Sequence, residues 1–137
     1  MHLHHLRHDS VRARLYADSA RLALEEQLEA NPSDAMRHAV LGTTLAHLAR
    51  KDEAIRAGRM AVELVPLDRG NPGRYMQLQL VRTYILVGEP DLALDQLEPL
   101  LKEPGYLTPG WLRVDPMFDP LRGHPRFQRL AASEAPA

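Results

Sequence analysis

The chain has 137 residues, of which 45% are hydrophobic and 26% are charged, and its formal net charge is -1. These values predict one folded soluble domain with a buried core and argue against the basic surface of a nucleic-acid-binding protein. The absence of cysteine excludes disulfides, thiolate metal sites and a thiol nucleophile.

No apolar run approaches the ~20 residues that a membrane-spanning helix needs. The first residues also lack the apolar stretch of a signal peptide. We therefore expect a cytoplasmic protein without membrane insertion. A periplasmic or membrane-tethered setting stays open if the chain belongs to a longer protein.

Four of the seven histidines, His2, His4, His5 and His8, lie at the amino terminus. His4 and His8 are four residues apart, so on a helix they would share a face that can bind a divalent metal. The alternative is an amphipathic terminal helix, because Leu3, Leu6, Val11 and Leu15 give the segment an apolar stripe. We favour that alternative and predict neither a metal site nor a cofactor.

A repeat with a period of about 34 residues organises most of the chain. Asp18-Ser19-Ala20 recurs as Asp52-Glu53-Ala54, one period later. A third copy starts at Asp91-Leu92-Ala93, slightly more than one period after the second, and the surplus falls in the glycine- and proline-containing loop 67–74. The pattern predicts a repeat array over residues 1–106, with units of about 3–32, 33–66 and 72–105, followed by a terminal segment over 107–137.

Each unit is expected to form two helices. In the second unit, Ser33 or Asp34 can cap the first helix, and Asp52 is expected to cap the second, which ends before Pro66. In the third unit, Gly88 is expected to close the first helix and Pro90 to begin its partner.

Small residues are expected where the two helices of a unit approach closely. Gly42 is predicted to lie opposite Ala54 and Ala61, and Ala93 takes the equivalent place in the third unit. Pro99 falls inside the last helix, where its ring clashes with a backbone carbonyl, so a kink or an early end near Glu98 is expected.

The terminal segment contains a run of acids, arginines and prolines. Asp115 and Asp119 are four residues apart and could be imagined as a general acid and base. Each precedes a proline, however, and a capping acid followed by proline is how helices begin, so capping is the favoured interpretation. Thr108-Pro109 and His124-Pro125 repeat the pattern. We predict short helices whose aromatics, Trp111, Phe118 and Phe127, cover the open end of the array, and we predict no enzyme activity.

These residues resemble the tetratricopeptide repeat (TPR). The second unit has Leu41-Gly42, Leu45 and the small residues named above, and the third has Leu80, Tyr84, Gly88, Ala93 and Leu97. The stretch YILVGEPDLALDQLEPLL, followed by WLRVDPMFDPLRGHPRFQRL, is similar to the carboxyl-terminal TPR regions of bacterial signalling proteins such as Ser/Thr protein kinases and nucleotide cyclases.

The resemblance implies an all-α solenoid of about three helical hairpins with a cap of short helices. It also implies a non-catalytic interaction module, regulatory or scaffolding in signalling, that binds a peptide or helix of a partner protein on its concave face. Asparagine and lysine, which form the TPR clamp for a terminal carboxylate, are replaced here by Ala39, Thr43, Leu78 and Arg82. An amphipathic or mildly acidic segment is therefore the expected ligand. The predicted groove residues are Met36, Thr43, His47, Arg50, Tyr75, Gln79 and Arg82, with Ala39, Ala46, Leu78 and Leu86 beside them.

One alternative stays open. The same surfaces can serve self-association, with the groove filled by the chain's own terminal segment, and a homo-oligomer is compatible with either interpretation.

Overall fold

The computed structural model describes the backbone of residues 2–103 and 105–133, and the side chains from residue 10 onwards. All secondary structure within these ranges is helical, which confirms the expected all-α class. The α-helices are α1 (His2–Ala30), α2 (Ala35–His47), α3 (Lys51–Leu64), α4 (Asn71–Leu86), α5 (Pro90–Lys102), α6 (Pro109–Val114) and α7 (Pro125–Ala132), and the 3-10 helices are η1 (Leu67–Arg69) and η2 (Pro116–Leu121).

Helices α2 and α3 form a tightly packed hairpin. A Cβ atom added to Gly42 would lie 3.1 Å from the backbone nitrogen of Gly58 and 3.2 Å from the carbonyl oxygen of Ala54. Ala54 and Ala61 are fully buried. The predicted close approach at Gly42 and Ala54 is therefore confirmed, and Gly58 is a further small residue at the contact.

The two hairpins turn in the same way. In the α2–α3 turn the amide of Arg50 donates to the carbonyl oxygen of Leu45 at 3.0 Å. In the α4–α5 turn the amide of Glu89 donates to the carbonyl oxygen of Tyr84 at 2.9 Å. This is the Schellman arrangement, which requires a positive φ at the residue before the donor. Gly88 satisfies that requirement with φ 79°, as expected from the sequence, whereas Ala49 adopts φ 60° despite its Cβ.

The first unit differs from the expectation, because it contains the single helix α1 rather than two helices. The turn residue of the second unit, Ala49, corresponds to Leu15, and no glycine lies there. The close contact between Gly42 and Gly58 corresponds in the sequence to His8 and Leu24, which are too large for the same approach. With neither a turn residue nor a small-residue contact, the helix continues to Ala30.

The helix starts are only partly as predicted. The carboxylate of Asp34 accepts from the amide of Arg37 at 3.1 Å, so Asp34 caps α2 as expected. The prediction for Asp52 is wrong, since α3 already begins at Lys51 and Asp52 lies in its first turn. An acidic residue in the first turn still stabilises the helix, because the unpaired amides at a helix start carry partial positive charge.

The early end predicted at Pro99 is also wrong. Helix α5 contains Pro99 and continues to Lys102. The neighbouring residues Leu97 and Leu100 are both fully buried, so ending the helix before Pro99 would remove a core side chain from its place. Pro99 removes the backbone hydrogen bond to the carbonyl of Asp95, and the burial of these two leucines is large enough to offset that cost of about 3 kcal/mol.

The largest hydrophobic cluster joins α4, α5 and the terminal segment. The rings of Phe118 and Phe127 stack with centroids 5.9 Å apart, and both are buried. Leu112 and Leu121 are buried with them. These residues cover the last hydrophobic face of α4 and α5 as predicted, with one exception: Trp111 remains 38% exposed, and its indole N–H donates to Asp115 at 2.8 Å.

Replacing the strained turn residue should stabilise the protein. In Ala49→Gly the positive φ no longer carries the cost of a Cβ, and we expect a net gain of about 0.5 kcal/mol after the greater freedom of glycine in the unfolded chain is subtracted. Gly88→Ala should instead lose about 1 kcal/mol. Urea unfolding followed by circular dichroism measures both, with Gly123→Ala as a control in open space without a positive φ. Equal unfolding midpoints for the Ala49 and Gly88 variants would contradict the strain at Ala49.

The two terminal aromatics should differ in their contribution to stability. Phe118→Ala leaves a cavity in the main cluster and should lower the free energy of unfolding by about 3–5 kcal/mol. Trp111→Ala removes an exposed ring and one hydrogen bond, and should cost about 1 kcal/mol or less. Chemical unfolding of both variants checks this, and similar losses for the two would show that the terminal segment packs differently.

Candidate functional site

A cleft of about 420 Å³ opens where α2, α4 and η2 meet. His47 lies at its edge on α2, and Arg82, Ile85 and Leu86 come from α4. The opposite wall is formed by η2 and its capping residue Asp115. The cleft thus combines apolar side chains with two basic groups and one carboxylate.

A second cavity of about 520 Å³ continues the surface towards α1. It is lined by Ser10, Ala13, Arg14 and Ala17 of α1, and by His47. Because His47 borders both cavities, the two form one groove that runs past α1, α2, α4 and η2. We call this surface the groove.

The η2 wall touches Arg82 directly. The Nε–H of Arg82 donates to the sulfur of Met117 at 3.4 Å. The carboxylate of Asp115 accepts from the amide of Met117 at 2.9 Å and from the indole N–H of Trp111 at 2.8 Å. The bond from the Met117 amide, followed by that from Trp111, lowers the pKa of Asp115. The wall is therefore fixed by an ionised cap at the start of η2.

Two of the predicted groove residues, His47 and Arg82, come together in the cleft. Thr43 and Gln79 lie on the same two helices and are half-buried, and the hydroxyl of Thr43 donates to the carbonyl of Val40 at 3.0 Å. Met36 and Tyr75 are exposed near the opposite ends of α2 and α4. The structure thus places His47 and Arg82 at one end of the predicted face, and Met36 and Tyr75 at the other.

Most of the remaining predicted groove residues lie outside the cleft. Arg50 lies in the α2–α3 turn, where its guanidinium donates to the carboxylate of Glu53 at 3.0 Å. Ala39 and Ala46 are buried in the core rather than open to the groove. Leu78 packs against the main cluster, while Leu86 lines the cleft.

The sequence did not indicate the contribution of α1 to the groove, and it indicated that of η2 only through the alternative in which the terminal segment fills the groove. Ala13 lies one repeat period before His47, so the repeat spacing alone could have identified it. Arg14 was not predicted, because two helices were expected in the first unit and the turn between them would lie near this residue. Asp115 and Met117 belong to the terminal segment that was predicted to cover the end of the array. Nothing in their spacing indicated that they border Arg82.

Asp115 and Asp119, the candidate catalytic pair, have structural contacts. Asp115 caps η2, as predicted, and Thr108 and His124 cap α6 and α7. The predicted cap at Asp119 is wrong, because Asp119 and Pro120 lie inside η2, which Asp115 has already started. The carboxylate of Asp119 instead accepts from the Nε–H of Arg122 at 2.7 Å.

The described residues bear differently on the possible metal site at the amino-terminal histidines and on the possibility of a membrane span. The side chains of His2, His4, His5 and His8 lie outside the described residues. Among the residues that are described, three or more potential metal ligands nowhere come together. None of the described helices is both long and apolar enough to span a bilayer.

Helix α7 is clamped onto α5 by charged groups. The guanidinium of Arg126 donates to Glu98 at 2.6 Å and to Asp95 at 2.9 Å. His124, which caps α7, lies 2.9 Å from Asp91 through its Nε2 atom. The hydrogen bond from Arg126 lowers the pKa of Glu98. Because α7 carries Phe127, this clamp holds the aromatic stack behind the η2 wall.

Comparisons with protein-family models, with curated proteins and with solved structures find no match for this chain. The geometry and charge of the groove therefore carry the functional argument.

The clamp should make stability depend on acidity. Because the folded-state pKa of Glu98 lies below its ordinary value of 4.5, the folded chain binds fewer protons there than the unfolded chain. The stabilisation is complete above that value and is lost as the pH falls through the folded-state pKa. Urea unfolding at about pH 7 and about pH 3 should show a smaller acid-induced loss for Arg126→Gln than for the wild type. The exposed Arg56→Gln control should keep the wild-type loss, and an unchanged loss in Arg126→Gln would rule out the clamp as its source.

Proposed function

We propose that this chain is a non-catalytic protein-interaction module of the TPR type, which binds a segment of a partner protein in the groove. Its two hairpins repeat in register. Ala49 and Gly88 occupy equivalent turn positions, and the fully buried Ala54 and Ala93 are separated by the same interval along the chain. This repetition supports a solenoid-like stacking of hairpins, in which the first helix of each hairpin faces the groove.

The composition of the groove carries the proposal. Ile85, Leu86 and Met117 offer apolar surface, while His47 of α2 and Arg82 of α4 offer hydrogen-bond donors. Among the described residues, Arg82 forms no direct ion pair, and its charge acts on Asp115 only at longer range, so its guanidinium is available to a carboxylate of the partner. An amphipathic segment with one acidic face matches this arrangement, because apolar contacts supply affinity and the cation fixes the orientation.

The state of Asp115 supports binding rather than catalysis. Its carboxylate borders the cleft, but it accepts two hydrogen bonds that hold η2 in place. Its lowered pKa keeps it ionised near neutral pH, and a general acid or base works best with a pKa near the working pH. We therefore assign Asp115 to the wall of the groove and propose no reaction.

The cellular role that we propose follows the resemblance to the carboxyl-terminal TPR regions of bacterial signalling proteins. A module of this size can act as a regulatory or scaffolding element, in the cytoplasm or tethered as part of a longer protein. We propose no nucleic-acid partner, since the net charge of -1 offers no basic excess.

A second candidate function is self-association with the groove filled by the chain's own terminal segment. The contact between Met117 and Arg82 favours it, because η2 already covers one side of the α4 face. The cavity at α1 remains open beyond this contact. Intramolecular coverage is thus partial, which leaves room for a separate peptide.

The groove can be tested with a charge reversal. Peptides selected from a random displayed library against the wild type should combine apolar and acidic residues. Arg82→Glu should weaken their binding at least tenfold, because a charge-assisted contact becomes a repulsion. Fluorescence anisotropy with the selected peptides measures the affinity.

Arg56→Glu is the matched control, since Arg56 is an exposed arginine on α3 that does not line the groove. It should bind the same peptides as the wild type does. If both variants bind equally well, or if selection yields no acidic amphipathic peptide, the groove is not the binding site that we propose.

A further inference from the structure

Helix α1 is far longer than the helix on which it packs. At a rise of 1.5 Å per residue, its 29 residues span about 43 Å, whereas the 13 residues of α2 span about 20 Å. The short connection after Ala30 aligns the carboxyl-terminal half of α1 with α2. Every residue from Ser10 to Tyr16 is exposed. Residues 10–16 of α1 thus lie at or beyond the end of α2, with His47 and Leu48 at their edge, and a helical stretch with so little packing is marginal in water.

An apolar stripe runs along α1, from this sparsely packed stretch into the half that aligns with α2. Val11, Leu15 and Leu22 are exposed by 58%, 64% and 55%. Their spacings of four and seven residues place them along one side of the helix, as in a coiled-coil seam whose position between Leu15 and Leu22 is held by Asp18. Ala13 and Ala17, which line the groove, lie on another side. The stripe thus lies on a different side of α1 from Ala13 and Ala17, and its residues Val11 and Leu15 border a cavity of about 320 Å³ that reaches Leu48.

The charge of α1 changes sign along its length. Residues 2–14 contain three arginines and one acid, whereas residues 18–29 contain four acids and one arginine. The described residues Arg12 and Arg14 at one end, and Glu26 and Glu29 at the other, are all exposed. Two such helices attract each other in the antiparallel orientation and repel each other in the parallel one.

We propose that a second copy of this chain covers the stripe, and that the two α1 helices pair antiparallel about a two-fold axis. Val11 of each copy faces Leu22 of the other, which places both Leu15 side chains beside the axis. The basic half of each helix then lies along the acidic half of its partner. Such an interface is self-complementary, as a two-fold contact must be. The partner helix supplies the packing that α1 lacks within one chain.

Solution mass tests the pairing. By light scattering coupled to size-exclusion chromatography, the wild type should have twice the mass of one chain. Leu15→Lys should have the mass of one chain and keep its helical circular dichroism, because Leu15 is exposed in the protomer. Met60→Lys, at an exposed apolar residue of α3, is the matched control and should stay dimeric. A monomeric wild type, or a dimeric Leu15→Lys, would overturn the proposal.

Cross-linking tests the orientation, and the chain suits it because it has no cysteine. Val11→Cys alone and Leu22→Cys alone should each give little disulfide-linked dimer on mild oxidation. An equimolar mixture of the two should give at least tenfold more. Efficient linking of either single variant to itself, or no gain in the mixture, would exclude the antiparallel pairing that we propose.

Discussion

The burial of α4 between its neighbours is the constraint on which the structure depends. Helix α4 packs against α2, α3 and α5, and it also touches η2. Tyr84 concentrates these contacts in one side chain. The residue is only 1% exposed in the main cluster, while its hydroxyl accepts from the Nε–H of Arg59 on α3 at 2.9 Å. One residue thereby ties the first hairpin to the second and satisfies the polar group that it buries.

The features predicted correctly from sequence are those that depend on local chemistry. Asp34, Thr108, Asp115 and His124 cap helices because each can bond a nearby backbone amide, and Gly88 ends α4 because it tolerates a positive φ. These requirements involve residues within one turn of each other. They can therefore be read from a short stretch of sequence without knowing what packs against it.

The caps predicted at Asp52 and Asp119 are local errors, because each residue lies inside a helix that begins earlier. The other differences from the prediction arise where packing overrides local preference. Pro99 would end an isolated helix, but the burial of Leu97 and Leu100 keeps α5 intact. Ala49 does not favour a positive φ, but the close contact between Gly42 and Gly58 brings α3 back onto α2. Helix α1 shows the opposite outcome. The repeat pattern predicts a hairpin there, but the residues provide neither the turn nor the small-residue contact, so the segment forms a single helix.

The candidate site also contains one part that the sequence predicts and one part that depends on packing. The helical repeat indicated the faces of α2 and α4, so His47 and Arg82 could be named from the sequence. The η2 wall could not be named from the sequence, because its position follows from long-range burial. Phe118 and Leu121 are almost completely inaccessible to solvent in the cluster with α4 and α5.

The same burial determines how the groove can respond to a ligand. Moving Met117 away from Arg82 as part of η2 would expose Phe118, so this wall behaves as part of the core. Residues 10–16 of α1 are exposed and have no comparable anchor among the described residues, so the opposite side of the groove depends on what α1 packs against.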